Sequence, residues 1–537
     1  MIGTLLRQRF RRDWLQLLLW ILGTVLMAVA GYSGVTQSYG TLEDRQNILA
    51  AALANPVILM FRGLPSGPGE GAFLAFEVLP WLAILAALMS LFLAIRHTRA
   101  DEEAGRSELL SATPASRTLP TVATIVHGVL ANVVLAVLTT LALLSVGLDA
   151  AGSTLAGAAA GATGIVFLGI GLIAAQLMRT SRGANSLTVW VLVATFLLRG
   201  IGNAAGTPSD DLTHVTSAWP AWISPFGWAE QARPFDEDIW WPVALALVVG
   251  IGLAVVAAVL QSARDMGASF IAPRMGRVHA RPALASTHAL VWRLSSGSLI
   301  GWAVGGALTG ILATSLGGVI DQVSTENPAV ADILKKISQS GTLDEAMVTV
   351  FFTMLGIVAG CCAVQTVARA RQEEAHGTAE PILGTPTRRV MWLADYLIVA
   401  TCAVLIVAAA AVVFAFIGMA SSGGGSDIAR TVLVDGAGQA VAASVFTVIT
   451  GLVFVLVPRA TIGLAWALLL IATMLGLFGP LFGMPEWTTN ISPFGATPVV
   501  SGGDVDVRGL WWLVLVVAVG AVASLTLMRR RELATNG

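Results

Sequence analysis

Arg99-Ala-Asp-Glu-Glu-Ala-Gly-Arg-Ser-Glu-Leu-Leu-Ser-Ala-Thr-Pro114 returns later in the chain as Arg371-Gln-Glu-Glu-Ala-His-Gly-Thr-Ala-Glu-Pro-Ile-Leu-Gly-Thr-Pro386. Each stretch follows a long apolar run and precedes another. Each carries an Arg, then Glu-Glu-Ala, a third Glu and Thr-Pro. An acidic, helix-prone island between two apolar runs reaches only the aqueous side of a membrane, so it reads as a docking element. Aligned on Glu-Glu-Ala, residues Glu102, Glu103 and Glu108 correspond to Glu373, Glu374 and Glu380. On that alignment the second copy is spaced differently. Five residues separate Glu374 from Glu380 and four separate Glu103 from Glu108, while Pro381 replaces a helix former. Unequal docking at the two copies is the expectation.

The surrounding composition is that of a membrane. Of 537 residues, 56% are hydrophobic and 12% charged, with a mean hydropathy of +0.79. Soluble domains carry about 25% charged residues. A net charge of −1 argues against a nucleic-acid partner, which calls for a basic excess. Cys361, Cys362 and Cys402 all lie in apolar runs, which suits buried thiols rather than a disulfide or zinc framework. The two lysines, Lys335 and Lys336, are adjacent, and neither follows a glycine. A phosphate-binding P-loop places its lysine after the last glycine, so the chain is expected to hold no such ATPase site. The arginine-rich start runs into an apolar stretch without a small-residue cleavage site, so no cleaved signal peptide is expected. Met1 to Arg12 has the pattern of an interfacial amphipathic helix, with Ile2, Leu5, Leu6 and Phe10 on one face.

A span needs roughly 20 apolar residues. Such runs fall at about 14–32, 72–95, 119–148, 154–178, 184–201, 241–261, 298–320, 347–368, 390–419, 437–457, 461–482 and 510–528, twelve in all. With twelve spans both termini share a side, and the segments on that side hold 23 of the 31 basic residues. Positive residues stay inside, so both termini and both acidic islands are expected in the cytoplasm.

The repeat extends beyond the islands. Asn55-Pro56 matches Asn327-Pro328, Ile223-Ser-Pro-Phe-Gly227 matches Ile491-Ser-Pro-Phe-Gly495, and Trp240-Trp241 matches Trp511-Trp512, at offsets of 272, 268 and 271. The expected fold is therefore an all-α polytopic membrane protein of twelve transmembrane helices. They form two tandem parallel six-helix halves, 1–266 and 297–537, joined by a linker at 267–296.

Charges within spans are scarce and so are functional candidates. Glu77 is five residues into the second span, roughly 8 Å deep at 1.5 Å per residue. Arg199 lies near the matching end of the fifth span, and the two could pair and line a substrate path. Asp395 reads as interfacial. Tryptophans such as Trp219, Trp240, Trp487 and Trp511 cluster in the outer segments as an aromatic belt. Pro225 and Pro493 are expected to end short interfacial helices that cap each half. The polar stretch 324–345 suits a small outer helix, and Gly423-Gly-Gly425 a turn.

These features together resemble the permease subunits of type-2 ABC exporters. More narrowly they resemble the fused, double-length actinobacterial permeases of the polyketide antibiotic, tetronasin type. Glu102-Glu103-Ala104 with Thr113-Pro114, Glu373-Glu374-Ala375 with Thr385-Pro386, the paired Ile-Ser-Pro-Phe-Gly motifs and Arg264-Asp265-Met266-Gly267 carry the likeness. The resemblance implies a bacterial plasma-membrane protein that is not itself catalytic. It implies export of hydrophobic or amphipathic small molecules and two copies of an ABC ATP-binding subunit. ATP and Mg2+ would bind that partner, with no cofactor in this chain, and Glu102, Glu103, Glu108, Glu373, Glu374 and Glu380 would sit on two coupling helices. The alternative is a proton-driven twelve-span secondary drug transporter, against which the long acidic segments after the second and eighth spans weigh. His97, His127, His214, His279, His288 and His376 are scattered without an H-E-x-x-H or G-x-S-x-G element, which argues against a membrane enzyme.

Overall fold

A computed structural model describes residues 2–54, 56–111, 116, 118–271, 279, 285–315, 343–422, 426–478, 486–501 and 504–532. Within them are twelve helices long and apolar enough to cross a membrane. Numbered in order, they are α1 (Ile2–Ser38), α2 (Glu70–Glu103), α3 (Leu119–Ser145), α4 (Ala150–Leu177), α5 (Ser181–Ala204), α6 (Trp241–Ser262), α7 (Thr287–Ser315), α8 (Glu345–Ala375), α9 (Arg389–Ala420), α10 (Ile428–Leu456), α11 (Pro458–Leu477) and α12 (Arg508–Met528). The protein is an all-α polytopic membrane protein. Its strands, among the described residues, are two minimal hairpins, Thr207–Pro208 with Val215–Thr216 and Val499–Ser501 with Asp504–Asp506. Each hairpin lies between the fifth and sixth long helices of its half. The chain divides into two compact units, Met1–Met275 and Gly276–Gly537.

In the first unit α2 and α4 form the centre, buried over 72% and 83% of their most apolar window, against 17% for α1. Composition explains the difference. A methyl group on Gly157 would come within 2.5 Å of the Ala136 carbonyl, and one on Gly169 within 2.9 Å of the Gly250 carbonyl. Glycine thus lets the backbone of α4 lie against α3 and α6, which is how helices pack where no water drives them together. α1 instead buries one stripe, Leu17, Ile21, Thr24 and Ala28, and exposes Trp14, Leu15, Leu18, Leu22 and Leu26. The second unit repeats the scheme, with α8 and α10 the most buried of its long helices. There Gly306 and Gly310 of α7 abut the carbonyls of Val407 and Ala411 on α9.

Three local expectations are corrected. The N-terminal segment is not a separate interfacial helix but the first turns of α1, because Arg9 and Asp13 are drawn into the unit by partners on α2 and α3. α7 begins at Thr287, inside the stretch expected to be linker, where Thr287 donates to Asp395 at 2.6 Å and holds that carboxylate buried rather than interfacial. Pro225 does more than end a helix: the 3-10 helix Trp219–Ile223 stops just before it, and it opens Pro225–Gln231, where a first-turn proline leaves no intrahelical bond unmade. Lys335, Lys336, Asn55, Asn327-Pro328, Thr113-Pro114, Gly423–Gly425 and most of the stretch 324–345 lie outside the described residues.

Candidate coupling and substrate sites

Each acidic island is anchored by an arginine on either side of one glutamate. In the first unit Glu102 accepts from Arg99 (Nη1 to Oε2, 2.9 Å) and from Arg264 (Nη2 to Oε1, 2.5 Å). Arg99 is buried and also donates to the Ala175 carbonyl at the end of α4 and to the Ala268 carbonyl. Arg264 bonds Gln176 and the same Ala268 carbonyl. In the second unit Glu374 faces Arg371 at 3.5 Å and accepts from Arg531, whose Nη2 lies 2.7 Å from each carboxylate oxygen. The Arg531 guanidinium lies over the Phe454 ring of α10 at 4.3 Å. Both clamps therefore join the end of the second helix of a unit to the segment just after its sixth.

This geometry corrects the register of the repeat. Arg99 matches Arg371, Glu102 matches Glu374 and Glu108 matches Glu380, all at an offset of 272, which Thr113-Pro114 and Thr385-Pro386 share. Asp101-Glu102-Glu103 thus aligns with Glu373-Glu374-Ala375, and the apparent difference in spacing disappears. Gly105 and Gly377 coincide too, with φ of 69° and 72°, a region that favours glycine. Each lets the chain turn into a short second helix, Arg106–Ser111 or Ala379–Leu383.

The six glutamates therefore occupy different environments. Glu102 and Glu374 are committed to their clamps. Glu103 accepts from the Ser181 amide at 2.9 Å and from its hydroxyl, so it caps the positive end of α5. Glu373 lies 3.7 Å from Arg369. Glu108 and Glu380, beyond the turn, are exposed.

Glu77 and Arg199 do not pair with each other; they are two members of a longer chain. Glu77 pairs with Arg62, whose carbonyl accepts from Arg199. Arg199 is fully buried, pairs with Glu230 at 2.6 Å and packs over Phe196 at 4.2 Å. Asn203 donates to the other Glu230 oxygen at 2.7 Å and accepts from Ser217 at 2.7 Å. Burial pushes the Glu230 carboxyl up from its ordinary value, against Arg199 and Asn203. Arg62 and Glu230 were missed because both lie outside the apolar runs. The signal for Glu230 was its place in Trp228-Ala-Glu-Gln231 just after one paired motif, where the other continues Ala-Thr-Pro498.

A second missed cluster joins three elements of the first unit. His97 and His127 both turn Nε2 toward Asp13 Oδ2, His127 at 3.3 Å, and Arg96 sits 3.3 Å from Oδ1. All three members are buried, with ligand atoms within 4.8 Å of one another, a donor set that suits a divalent transition metal. Arg96 already balances the Asp13 charge, however, and buried Arg9 packs beside the cluster, bonding Thr124 and the carbonyls of Pro120 and His97. The arrangement works as an ion-pair knot tying α1 to α2 and α3.

The paired Ile-Ser-Pro-Phe-Gly motifs fold alike at the opposite end of each unit from its island. Ser224 and Ser492 each accept from the amide two residues on. Phe226 packs on Phe167, and Phe494 stacks on Phe446 at 5.3 Å.

The family described as "Multidrug efflux system permease Rv1217c, C-terminal domain" matches residues 6–260 and 284–529. The chain belongs to this Rv1217c-type permease family. It is 34% identical over 534 residues to the "Multidrug efflux system permease protein Rv1217c" of Mycobacterium tuberculosis (strain ATCC 25618 / H37Rv), covering 98% of this chain and 94% of that protein. A solved inward-facing multidrug resistance MATE family transporter of the MOP superfamily overlays 94% of this chain and 98% of its own, with 13% identity and a TM-score of 0.30. An overlap that loose carries no argument. Membership of the permease family makes the Rv1217c-type chain a transport component with a multi-pass membrane setting.

Proposed function

We propose that this chain is the transmembrane permease subunit of an ATP-driven exporter of hydrophobic or amphipathic compounds, antibiotics and drugs among them. In this reading two copies of a separate ABC ATP-binding subunit dock on the two islands and hydrolyse ATP with Mg2+. The protein sits in a bacterial plasma membrane with both termini cytoplasmic, close to the polyketide antibiotic exporter type. The observation that carries the reading is the repeated island. One glutamate of each copy is clamped to the end of the sixth helix of its unit, and another, Glu108 or Glu380, is exposed beyond a glycine turn. A dimeric motor needs two equivalent contacts, each tied rigidly to the helices it must move. Exposed carboxylates at such a contact set register against a basic partner more than they add affinity.

The other named glutamates take supporting roles. Glu102 and Glu374 transmit force rather than touch the partner, while Glu103 and Glu373 hold the island in place. Glu77 and Arg199, in their network with Arg62 and Glu230, flank the substrate path. The family name, multidrug efflux permease, supports the substrate class.

The test is purification from the native membrane in mild detergent, with ATP hydrolysis of the eluate and mass identification of its components. The expected result is two ATP-binding subunits per chain and turnover altered by hydrophobic drugs. An intact, folded chain that transports with the proton gradient and after ATP depletion would replace this reading with a gradient-driven one.

A further inference from the structure

In the second unit a carboxylate lies within a span without a counter-ion among the described residues. Asp435 is seven residues into α10, about 10 Å along the helix axis at 1.5 Å per residue. It is 3% exposed. Thr349 of α8 donates to it, 2.8 Å to Oδ2. Among the described residues no arginine, lysine or histidine lies at ion-pair distance. The neighbouring charge that acts on it is another carboxylate, Glu345. A lone charge inside a membrane is costly and marks function more often than structure.

The first unit shows what a satisfied version looks like. At the offset of 272, Thr349 matches Glu77, and Glu77 has Arg62. The acid has moved from the second helix of the unit to the fourth, and its arginine has not followed. A second, independent feature lies one turn along α10. Gln439 is buried, and its amide nitrogen reaches Thr497 at 3.3 Å and Thr353 and the Phe494 carbonyl at 3.5 Å. Among the described residues its Oε1 has no donor. An anionic oxygen and a free amide oxygen, one turn apart among Val348, Phe352, Val432 and Phe494, form an acceptor set in apolar walls.

We propose that Asp435, with Thr349 and Gln439, anchors the cationic head of an amphipathic substrate within the second unit. A lipophilic ammonium or phosphonium ion supplies the charge that Asp435 lacks, and its hydrocarbon groups suit the phenylalanine and valine walls. Asp435 is closed off in this conformation, so a ligand reaches it when α8 and α10 part. The proposal rests on the drug-exporter reading for its substrate class, but binding needs neither ATP nor a partner, so the two fail separately.

The experiment is equilibrium binding of labelled tetraphenylphosphonium to the purified full-length chain in detergent. Asp435→Asn weakens binding about thirtyfold or more, the loss expected when one member of a buried charge pair is removed, and Asp435→Glu retains most of it. Unchanged affinity in a folded Asp435→Asn chain overturns the proposal. If that variant does not fold, the wild-type chain decides. A hydrophobic carbodiimide labels the Asp435 carboxyl, and tetraphenylphosphonium protects it; labelling indifferent to the cation overturns the proposal. Lys335→Gln/Lys336→Gln separates a ligand from an intrachain counter-ion. Unchanged binding supports the proposal, and clearly tighter binding shows that a lysine already fills the site.

Discussion

Glu102 and Arg264 are 162 positions apart in sequence, yet Arg264 Nη2 lies 2.5 Å from Glu102 Oε1. The same contact recurs between Glu374 and Arg531, 157 positions apart. Each is a tether between the end of the second helix of a unit and the end of its sixth. A tether of this kind converts a push on the island into movement of a span, because a short charge-assisted contact resists sliding.

Removing one partner of the second clamp leaves a buried guanidinium unpaired. Glu374 is 1% exposed on its side chain, so Glu374→Ala is expected to destabilise the second unit by about 3 kcal/mol or more. Arg531→Met alone is expected to cost less, because Arg371 still faces the Glu374 carboxylate. The double variant recovers part of the loss, with a coupling energy of about 2 kcal/mol. A double-mutant cycle on denaturant unfolding in detergent checks this; additive losses would show that the contact carries no coupling.

Charge reversal beyond the turn should do the opposite. Glu108 and Glu380 are exposed, so Glu108→Lys/Glu380→Lys leaves stability within about 0.5 kcal/mol. Under the exporter reading the same pair abolishes co-purification of the ATP-binding subunit, while each single variant weakens it to a similar extent. The similarity follows from the shared offset of 272, which makes the two islands equivalent. Retention of the subunit by the double variant would remove these glutamates from the contact.

Much of this architecture was legible in the sequence. Length and hydropathy placed all twelve long helices, because a run of roughly 20 apolar residues has few other uses. The pairing of charges was not legible. Glu77 and Arg199 were visible as charges in apolar runs, but their partners, Arg62 and Glu230, lay in segments where charges are ordinary. Asp13 carries no signal in the sequence, since nothing local shows that His97 and His127 will converge on it. The island register was misread for a related reason. Glu-Glu-Ala is a stronger string than the spacing of Arg99 and Glu102, but the three-residue step from arginine to glutamate is what puts both on one helix face.

The pH dependence of stability should report Glu230. Burial raises its folded-state pKa above the ordinary 4.5. The folded chain then holds the proton more tightly than the unfolded chain. The stability due to this group is full below 4.5 and is lost as pH rises through the folded value. Glu230→Gln removes that slope. Melting temperatures of both proteins from pH 4 to about 8 should therefore show wild type losing ground to the variant as pH rises, and parallel curves would refute the assignment.

The paired glycines offer a test of the cap at the other end of each unit. A methyl group on Gly227 would lie 1.9 Å from the Ala221 carbonyl, and one on Gly495 2.5 Å from the Thr489 carbonyl. In both motifs the blocking carbonyl is six residues back, so the same tight fold-back is built twice. The obstacle is backbone and cannot swing away as a side chain would. Gly227→Ala is expected to cost about 3 kcal/mol, the upper end for overpacking, and Gly495→Ala about 2 kcal/mol, since its clash is shallower. Gly252 is the control: it lies on α6 with open space at its Cβ position, so Gly252→Ala is neutral or slightly stabilising. The three unfolding midpoints, measured in one detergent, should fall in that order, and equal effects at Gly227 and Gly252 would contradict the close approach.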